Sequence, residues 1–428
     1  QHDLSLDILD YALFLPSIGL VCGLAISLRL IGPLFVVIPT GTCLLYALLR
    51  RTMPPRLLSA YVAFCILVAV LSGFRLYPAS WQIYFVQEAI VRQLIPLLGF
   101  FAVAWGSKAY FLRRIASGDV FWGAALIIVL GFAVGPAVML QQGLRYQGDD
   151  PPAAILGLYG SFINNIVIAL FYVTAFIFLT NDWRRYAGLV TCIAIALVTH
   201  FEQFKILTLV LLATLAGVPG RFVVISVVAM LLGSYAIGQW YIPQVMLANP
   251  NSGLRLAFLA DALKSVNDTF GIGIGYGKES VRWRYQFPDI PVFTFLPDPG
   301  SITPDRMLQL LSTGVENSFV EALLRTGAPG FVLLVASIFV AFPPRNLPRD
   351  VRNHAAVVFA VMFIGCFVNS ALESPVSAVG HAFIYGYLLA LRASVRTRSP
   401  AGAAGVRPPR ATFSLPAGAK QAPVGSTA

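Results

Sequence analysis

The sequence predicts an all-α, polytopic membrane protein with about twelve transmembrane helices and one large loop on the outer face. Of its 428 residues, 57% are hydrophobic and 11% are charged, which is too few charges to cover a soluble protein of this length. The apolar residues also gather in runs close to the roughly 20 residues that a helix needs to cross a bilayer. We therefore expect the bilayer to be the main solvent of this chain.

Twelve apolar runs are interpreted as spans, six in each half of the chain. They lie near residues 9–28, 31–49, 57–77, 88–106, 120–140, 154–180, 187–200, 204–217, 221–241, 318–342, 355–372 and 378–393. The runs 187–200 and 204–217 are shorter than the thickness of a bilayer core. The turn that joins them is therefore expected to lie below the outer surface.

The basic residues predict the topology. The net charge is +11, and Lys and Arg fall in short gaps that an even number of predicted spans separates. These gaps contain Arg50, Arg51 and Arg56; Lys108, Arg113 and Arg114; Arg184 and Arg185; Arg221; Arg345, Arg349 and Arg352; and the tail from Arg392. The positive-inside rule places all of them, and both termini, in the cytoplasm. The charge thus indicates topology and not a nucleic-acid partner.

The chain divides into a transmembrane domain, residues 1–398, and a tail, residues 399–428. The tail is rich in Pro, Ala and Gly, so it is expected to be disordered and cytoplasmic. Between spans nine and ten, residues 242–317 form a long, polar, Pro-rich stretch on the outer side. Because it is the one candidate extramembrane domain, we expect it to carry the function.

Within this loop, Ser252 to Asp268 has the pattern of an amphipathic interfacial helix. Arg255 is expected in its first turn, where the helix dipole favours anions. Either an anionic ligand or lipid headgroups would suit that cation. The following segment, Gly271 to Gly277, alternates glycine with larger residues and matches no nucleotide-binding motif. Alternating glycines instead predict tight turns and close approach of the backbone to another element.

The rest of the loop carries further charged candidates. Lys278, Arg282 and Arg284 suit pyrophosphate or an acidic sugar, and simple solvated charges are the alternative. Glu316, beside Asn317 at the end of the loop, is a candidate general base. The helix dipole and partial burial would change its basicity in opposite directions.

Other charged residues have structural alternatives. Ser318 with Glu321 fits a capping box that opens span ten, so Glu321 is interpreted as structural. Glu202 and Lys205 lie at the short hairpin, where charges at membrane depth are costly. They form either a self-neutralising pair three residues apart or part of a functional site. The cysteines, histidines and aspartates show no metal-binding or DxD spacing, so no metal or cofactor is expected.

Three patterns between about His200 and Gly330 occur together with this plan of spans. They are Lys205 near the tip of the short hairpin; Ser252-Gly-Leu-Arg255 before Gly271-Ile-Gly273; and Glu316-Asn317 before Gly327-Ala-Pro-Gly330. In this combination the chain resembles the bacterial O-antigen ligase and polymerase superfamily. That family usually has Arg at the hairpin tip and His before the Asn, so Lys205 and Glu316 are departures from its pattern.

The resemblance implies a GT-C-like glycosyltransferase of the bacterial inner membrane that works at the periplasmic face without metal or nucleotide sugar. Its donor would be an undecaprenyl-pyrophosphate-linked oligosaccharide. Lys205 and Arg255 would hold the pyrophosphate, and Glu316 would take the proton from the acceptor hydroxyl. The further substrate-binding candidates are Glu202, Lys278, Arg282, Arg284 and Asn317. Membrane lipids, a flippase and a chain-length regulator are the other expected partners.

Several functions fit this plan. The first hypothesis is a polymerase that joins lipid-linked repeat units into an exopolysaccharide, capsule or O-antigen. The second is a ligase that transfers the finished glycan to lipid A core. A secondary transporter or lipid-linked glycan flippase also predicts about twelve helices, and a scaffold for other synthesis proteins is a further alternative.

Overall fold

In the computed structural model of the protein, the described residues form helices and no strands. The structure describes residues 8–16, 18, 34–74, 83–117, 162–198, 202–241, 244, 250–277, 317–368, 372 and 375–398. A turn of π-helix, Asp10–Phe14, comes first. The longer helices are α1 (Leu34–Leu49), α2 (Arg56–Gly73), α3 (Ile83–Ser117), α4 (Phe162–Leu179), α5 (Trp183–Val198), α6 (Glu202–Leu215), α7 (Gly220–Gly238), α8 (Pro250–Asp268), α9 (Ser318–Val340), α10 (Arg349–Val368) and α11 (Pro375–Arg398).

The helices agree with the apolar runs of the sequence. Each predicted span from 31–49 onward coincides with one described helix, except 120–140, which lies outside the described residues. Six stretches of the described chain are long and apolar enough to cross a bilayer: Arg56–Gly73, Gln93–Arg114, Gly220–Tyr241, Ser318–Val340, Arg349–Phe367 and Ala378–Val395. The all-helical class and the apolar, membrane type of its helices are thus confirmed, and the total of twelve spans remains a prediction.

The core lies around α10 and α11. In these helices 83% and 78% of the spanning residues are buried, against 28% in α7 and 33% in α2, so α7 and α2 lie at the periphery of the described bundle. α11 packs closely against α3 because Gly386 has no side chain: a Cβ there would lie 2.5 Å from Cβ of Ser107. Close helix approach at small residues is how helices pack in a membrane, where lipid removes the hydrophobic driving force.

Asp10 connects the first helical turn to the core through buried polar contacts. Its carboxylate, 1% exposed, accepts a hydrogen bond from the Tyr46 hydroxyl at 2.5 Å and pairs with Arg50. The guanidinium groups of Arg114 and Arg113 lie 3.4 and 3.8 Å from the same carboxylate. α3 brings them there because it continues well past residue 106, where its apolar run was expected to end. Among the described residues, the Asp10 carboxylate thus faces three guanidinium groups.

The two ends of the bundle differ in charge. At one end, Lys108 of α3 donates to the carbonyl of Met53 at 2.7 Å, and Arg392 of α11 donates to the carbonyl of Val340 at 2.8 Å. This end holds the basic gaps between α1 and α2 and between α9 and α10. At the opposite end, α2 ends, α9 begins and the glycine segment after α8 packs against α2 and α3. These basic gaps and the glycine segment therefore lie at opposite ends of the described bundle, and the topology in a membrane remains a prediction.

Candidate functional site

The glycine segment, Gly271–Gly277, is the centre of the candidate site. Each of its four glycines has a left-handed backbone: φ is 83° at Gly271, 84° at Gly273, 81° at Gly275 and 86° at Gly277. Residues with a Cβ rarely adopt such angles. The predicted close approach is also present, because a Cβ on Gly273 would lie 2.5 Å from the backbone nitrogen of Gly327. The segment therefore needs glycine for both conformation and space.

The glycine segment packs against a break in α9. Gly327 has φ 67° and ψ −165°, which is outside the helical region, and Pro329 follows two residues later. Pro329 has no N–H, so it cannot donate to the carbonyl of Arg325 as a continuous helix would require. The break thus leaves carbonyl groups at the end of the first half of α9 without helical partners.

The glycine segment supplies the missing partners. The bonds are Ile274 N–H to Leu324 O at 2.8 Å, Gly275 N–H to Arg325 O at 3.0 Å and Ala328 N–H to Gly271 O at 2.9 Å. The segment thus acts as a C-cap for the outer half of α9, from a distant part of the sequence. Buried peptide groups in a membrane protein must be satisfied within the protein, and this arrangement satisfies them.

Two further hydrogen bonds fix the end of the segment. The backbone N–H of Tyr276 donates to Oγ of Ser72 at 3.0 Å, and that of Gly277 donates to Oε1 of Gln93 at 3.1 Å. Ser72 lies in the last turn of α2, and Gln93 lies in the first half of α3. The segment thus joins α2, α3 and α9 at the end of the bundle opposite the basic gaps, which the sequence predicts to be the outer end.

A buried ion pair lies under this segment. Nη2 of Arg325 is 2.7 Å from Oε2 of Glu321, one helical turn before it, and their side chains are 4% and 0% exposed. The guanidinium group also lies 5.5 Å from the centre of the Tyr276 ring, within range of a cation–π contact. The pair couples the outer half of α9 to the glycine segment, and charged residues inside a span mark functional regions.

The cap of α9 differs from the prediction. The N-cap is Asn317, whose Oδ1 accepts from the backbone N–H groups of Phe319 and Val320, both at 3.0 Å. The predicted capping box of Ser318 and Glu321 is therefore wrong. Oγ of Ser318 instead accepts from the N–H of Leu372 at 3.1 Å, and Glu321 pairs with Arg325. Both residues remain structural: Ser318 contacts a distant part of the chain, and Glu321 forms an ion pair within α9.

Replacing Asn317 by Ala is expected to lower the stability of the protein by about 1–2 kcal/mol, as for loss of an N-cap. Besides capping, Asn317 Nδ2 donates to the carbonyl of Phe367 at 2.6 Å. Asn317→Ser keeps a capping oxygen and adds no buried charge, so it should cost less than Asn317→Ala. Thermal unfolding in detergent measures both, with the exposed Asn267→Ala of α8 as the control; equal midpoints for Asn317→Ala and the control would contradict this role.

A long apolar groove opens beside the start of α9. Its volume is about 580 Å³, and α7, α8, α9 and α10 form its walls. Away from the start of α9 the groove is lined by Phe331, Val335 and Phe339 of α9 and by Phe363 of α10, and Phe367 of α10 lines it beside Asn317. Its polar lining residues, Tyr235, Gln239 and Asn317, lie where α7 ends and α9 begins. The groove is thus apolar along its length and polar at its outer end.

Helix α8 covers part of this groove. Leu259 and Leu263, one turn apart, line it, and Gln239 Nε2 of the segment after α7 donates to the carbonyl of Leu256 at 2.9 Å. Arg255 lies one turn before Leu259. The helix begins at Pro250 and not near Ser252, so Arg255 is in its second turn. The predicted dipole mismatch in the first turn is therefore wrong, because the dipole acts mainly over the terminal turn.

The structure describes only some of the other predicted site residues. Glu202 begins α6, and Lys205 lies in its first turn with an exposed side chain. Asn317 lines the groove beside α8, so the structure brings the Asn317 and Arg255 segments to the same groove. Glu316, Lys278, Arg282 and Arg284 lie outside the described residues. Their roles, like those of Lys205 and Arg255, stay predictions.

The prediction from sequence missed Arg325 and the contacts of the glycine segment with Ser72 and Gln93. A Glu and an Arg four residues apart within an apolar span indicate a buried pair, so the sequence carried evidence for Arg325. The contacts with α2 and α3 join residues far apart in the chain, and no local pattern encodes them. A search against protein-family models and curated proteins finds no match to this chain.

Proposed function

We propose that this protein is a membrane glycosyltransferase that polymerises polyprenyl-pyrophosphate-linked oligosaccharide units at the outer face of the bacterial inner membrane. The observation that supports it most is the groove beside α9. It is apolar along the membrane and polar at its outer end, which matches a lipid carrier whose tail lies in the bilayer and whose head carries charge. The family resemblance supplies the reaction class.

The dimensions of the groove suit such a tail. Its α9 lining runs from Phe319 to Phe339 and crosses the break at Gly327, so it extends along both halves of a segment that is long and apolar enough to cross a bilayer. A pyrophosphate at the outer end would lie close to the N-terminal half of α8, which carries Arg255. A cation there would stabilise the charge that develops on the leaving pyrophosphate.

In this proposal, Arg255 and Lys205 hold the pyrophosphate, and Glu316 accepts the proton of the acceptor hydroxyl. The hydroxyl oxygen attacks the anomeric carbon, the bond from that carbon to the pyrophosphate oxygen breaks, and the lipid pyrophosphate leaves with the electron pair. Donors and cations placed before the reaction need not reorganise when charge develops. The glycine segment would hold α9 and the start of the loop in a fixed relation.

A transporter or flippase for a lipid-linked glycan is the second candidate. The broken helix α9 favours it, since interrupted spans are a common feature of transporter binding sites. A groove for a lipid tail would serve that function as well. The two candidates differ in whether chemistry at Arg255 and Glu316 is required.

The first test is complementation of a deletion strain by wild type, Arg255→Ala, Lys205→Ala and Glu316→Gln, at matched membrane levels. Cell-surface and lipid-linked glycans are sized on gels. Loss of polymer with accumulation of single lipid-linked units in all three variants is the result expected for a polymerase. Accumulation of long lipid-linked chains without transfer indicates a ligase, and normal polymer in all three variants overturns the site assignment.

A second arm tests the groove. Leu323 of α9 lines it, whereas Val332 of the same helix is 61% exposed on another face. Leu323→Trp should obstruct the tail and reduce polymer, with wild-type membrane levels, and Val332→Trp should leave polymer unchanged. Polymer at wild-type levels in a stably inserted Leu323→Trp protein would count against a lipid tail in this groove.

A further inference from the structure

A second cavity lies at the basic end of the bundle, far from the glycine segment. Its volume is about 420 Å³, within the roughly 300–1,000 Å³ of small-molecule sites. The start of α2, the second half of α3, the end of α9 and the end of α11 form its walls. Three cations line it, Arg56, Lys108 and Arg392, and its lining residues include neither Asp nor Glu.

Two of these cations are held by the backbone. Lys108 Nζ donates to the carbonyl of Met53, and Arg392 Nη1 donates to the carbonyl of Val340. Each keeps further N–H donors, because an ammonium has three and a guanidinium has five. The cavity thus presents fixed cationic donors, a suitable arrangement for phosphate oxygens.

The surroundings of the cavity are apolar and reachable. Its other lining includes Leu57, Val340 and Leu389, and Met53 at its edge is 75% exposed. α2 begins at Arg56, and one face of this helix carries exposed apolar side chains, among them Leu67 and Leu71. Acyl chains lying along that face would put a phosphate beside Arg56. A soluble anion would make no contact with these apolar side chains.

We infer that this cavity binds the headgroup of an anionic phospholipid from the cytoplasmic leaflet. The positive-inside rule assigns this end of the bundle to the cytoplasm, and anionic lipid headgroups bind basic pockets between transmembrane helices on that side. The phosphodiester contacts Arg56, Lys108 and Arg392, and the glycerol and first methylenes contact Leu57 and the start of α2. This site is separate from the groove beside α9 and is independent of the proposed reaction.

The test measures lipid binding by native mass spectrometry of the whole, delipidated protein in detergent. Each cation near anionic lipid contributes roughly 1 kcal/mol, which corresponds to about fivefold in affinity per charge. Wild type should therefore bind phosphatidylglycerol at least about tenfold more tightly than phosphatidylcholine. Arg56→Gln with Lys108→Gln should remove most of this preference, and Arg56→Gln alone should remove part of it.

Arg345→Gln with Arg349→Gln is the matched control, since both arginines are exposed at the same end of the bundle and do not line the cavity. It removes the same charge and should retain the preference. Equal binding of both lipids by wild type, or equal loss in the control pair, overturns the inference. So does competition by millimolar inorganic phosphate as strong as by phosphatidylglycerol, which would make it a site for a soluble anion. Arg56→Gln, at an exposed side chain, keeps the test informative if the double variant does not fold.

Discussion

Replacing Asp10 by Asn is expected to destabilise the protein by about 3–5 kcal/mol, the cost of breaking a buried ion pair by removing one partner. The reason is that the buried carboxylate of Asp10 faces the guanidinium groups of Arg50, Arg113 and Arg114. Asn keeps the size of the side chain and removes the charge, so the Arg50 and Arg114 guanidinium groups lose the attraction of a buried carboxylate. Unfolding in mixed detergent micelles measures the loss.

The matched control is Asp182→Asn. Asp182 also pairs with an arginine, Arg184 at 2.5 Å, but the two side chains are 39% and 31% exposed. Exposed ion pairs contribute little to stability because water already solvates both charges. The Asp182→Asn variant should therefore have the same unfolding midpoint as wild type. If Asp10→Asn unfolds together with Asp182→Asn, the Asp10 cluster is not a structural anchor.

Replacing Gly327 by Ala is expected to release the glycine segment from α9. Its backbone angles belong to a region that glycine alone occupies readily, and holding another residue there costs about 1–3 kcal/mol. The added Cβ would also overlap the carbonyl oxygen of Gly271 and the backbone of Ile272. Because the obstacle is backbone on both sides, no side chain can move to relieve it. Both stability and polymer synthesis should fall.

Two other glycines separate the causes of this loss. Gly271 has φ 83° but open space around its Cβ position, so Gly271→Ala should show the cost of conformation without overlap. Gly41, within α1, has open space as well and no left-handed φ, and Gly41→Ala should be neutral or slightly stabilising. Thermal unfolding midpoints should therefore rank Gly41→Ala highest, Gly271→Ala next and Gly327→Ala lowest. Any order with Gly327→Ala above Gly271→Ala contradicts the packing at the break.

The sequence predicted the helices well because a long apolar run has few alternatives in a bilayer. It predicted less well where several local patterns compete. Asn317 and Ser318 are both good N-cap residues. Which of them caps α9 depends on Leu372, because its backbone N–H donates to the Ser318 hydroxyl oxygen. The start of α8 could have been predicted from the sequence, because proline is favoured at the first helical position and Pro250 occupies it.

Long-range contacts could not be predicted from the sequence, for a different reason. Arg50, Arg113 and Arg114 were interpreted as markers of topology, but their joint partner Asp10 lies in another part of the chain. The alternating glycines predicted close packing without naming the partner. Gly327 became identifiable as that partner only in three dimensions, because its contacts with Gly271 and Gly273 join segments far apart in sequence.

The interrupted helix α9 has a consequence for the order of biosynthesis. The glycine segment leaves the ribosome before α9 does, yet it must reach the outer side before it can donate to Leu324 and Arg325. Until then, a broken α9 in lipid would expose unsatisfied carbonyl groups, each costing several kcal/mol. α9 is thus expected to leave the translocon with its outer half shielded by neighbouring protein or water, and to settle into lipid only when the nascent loop has docked. Completion of the outer loop and insertion of the tenth predicted span would then be one coupled event.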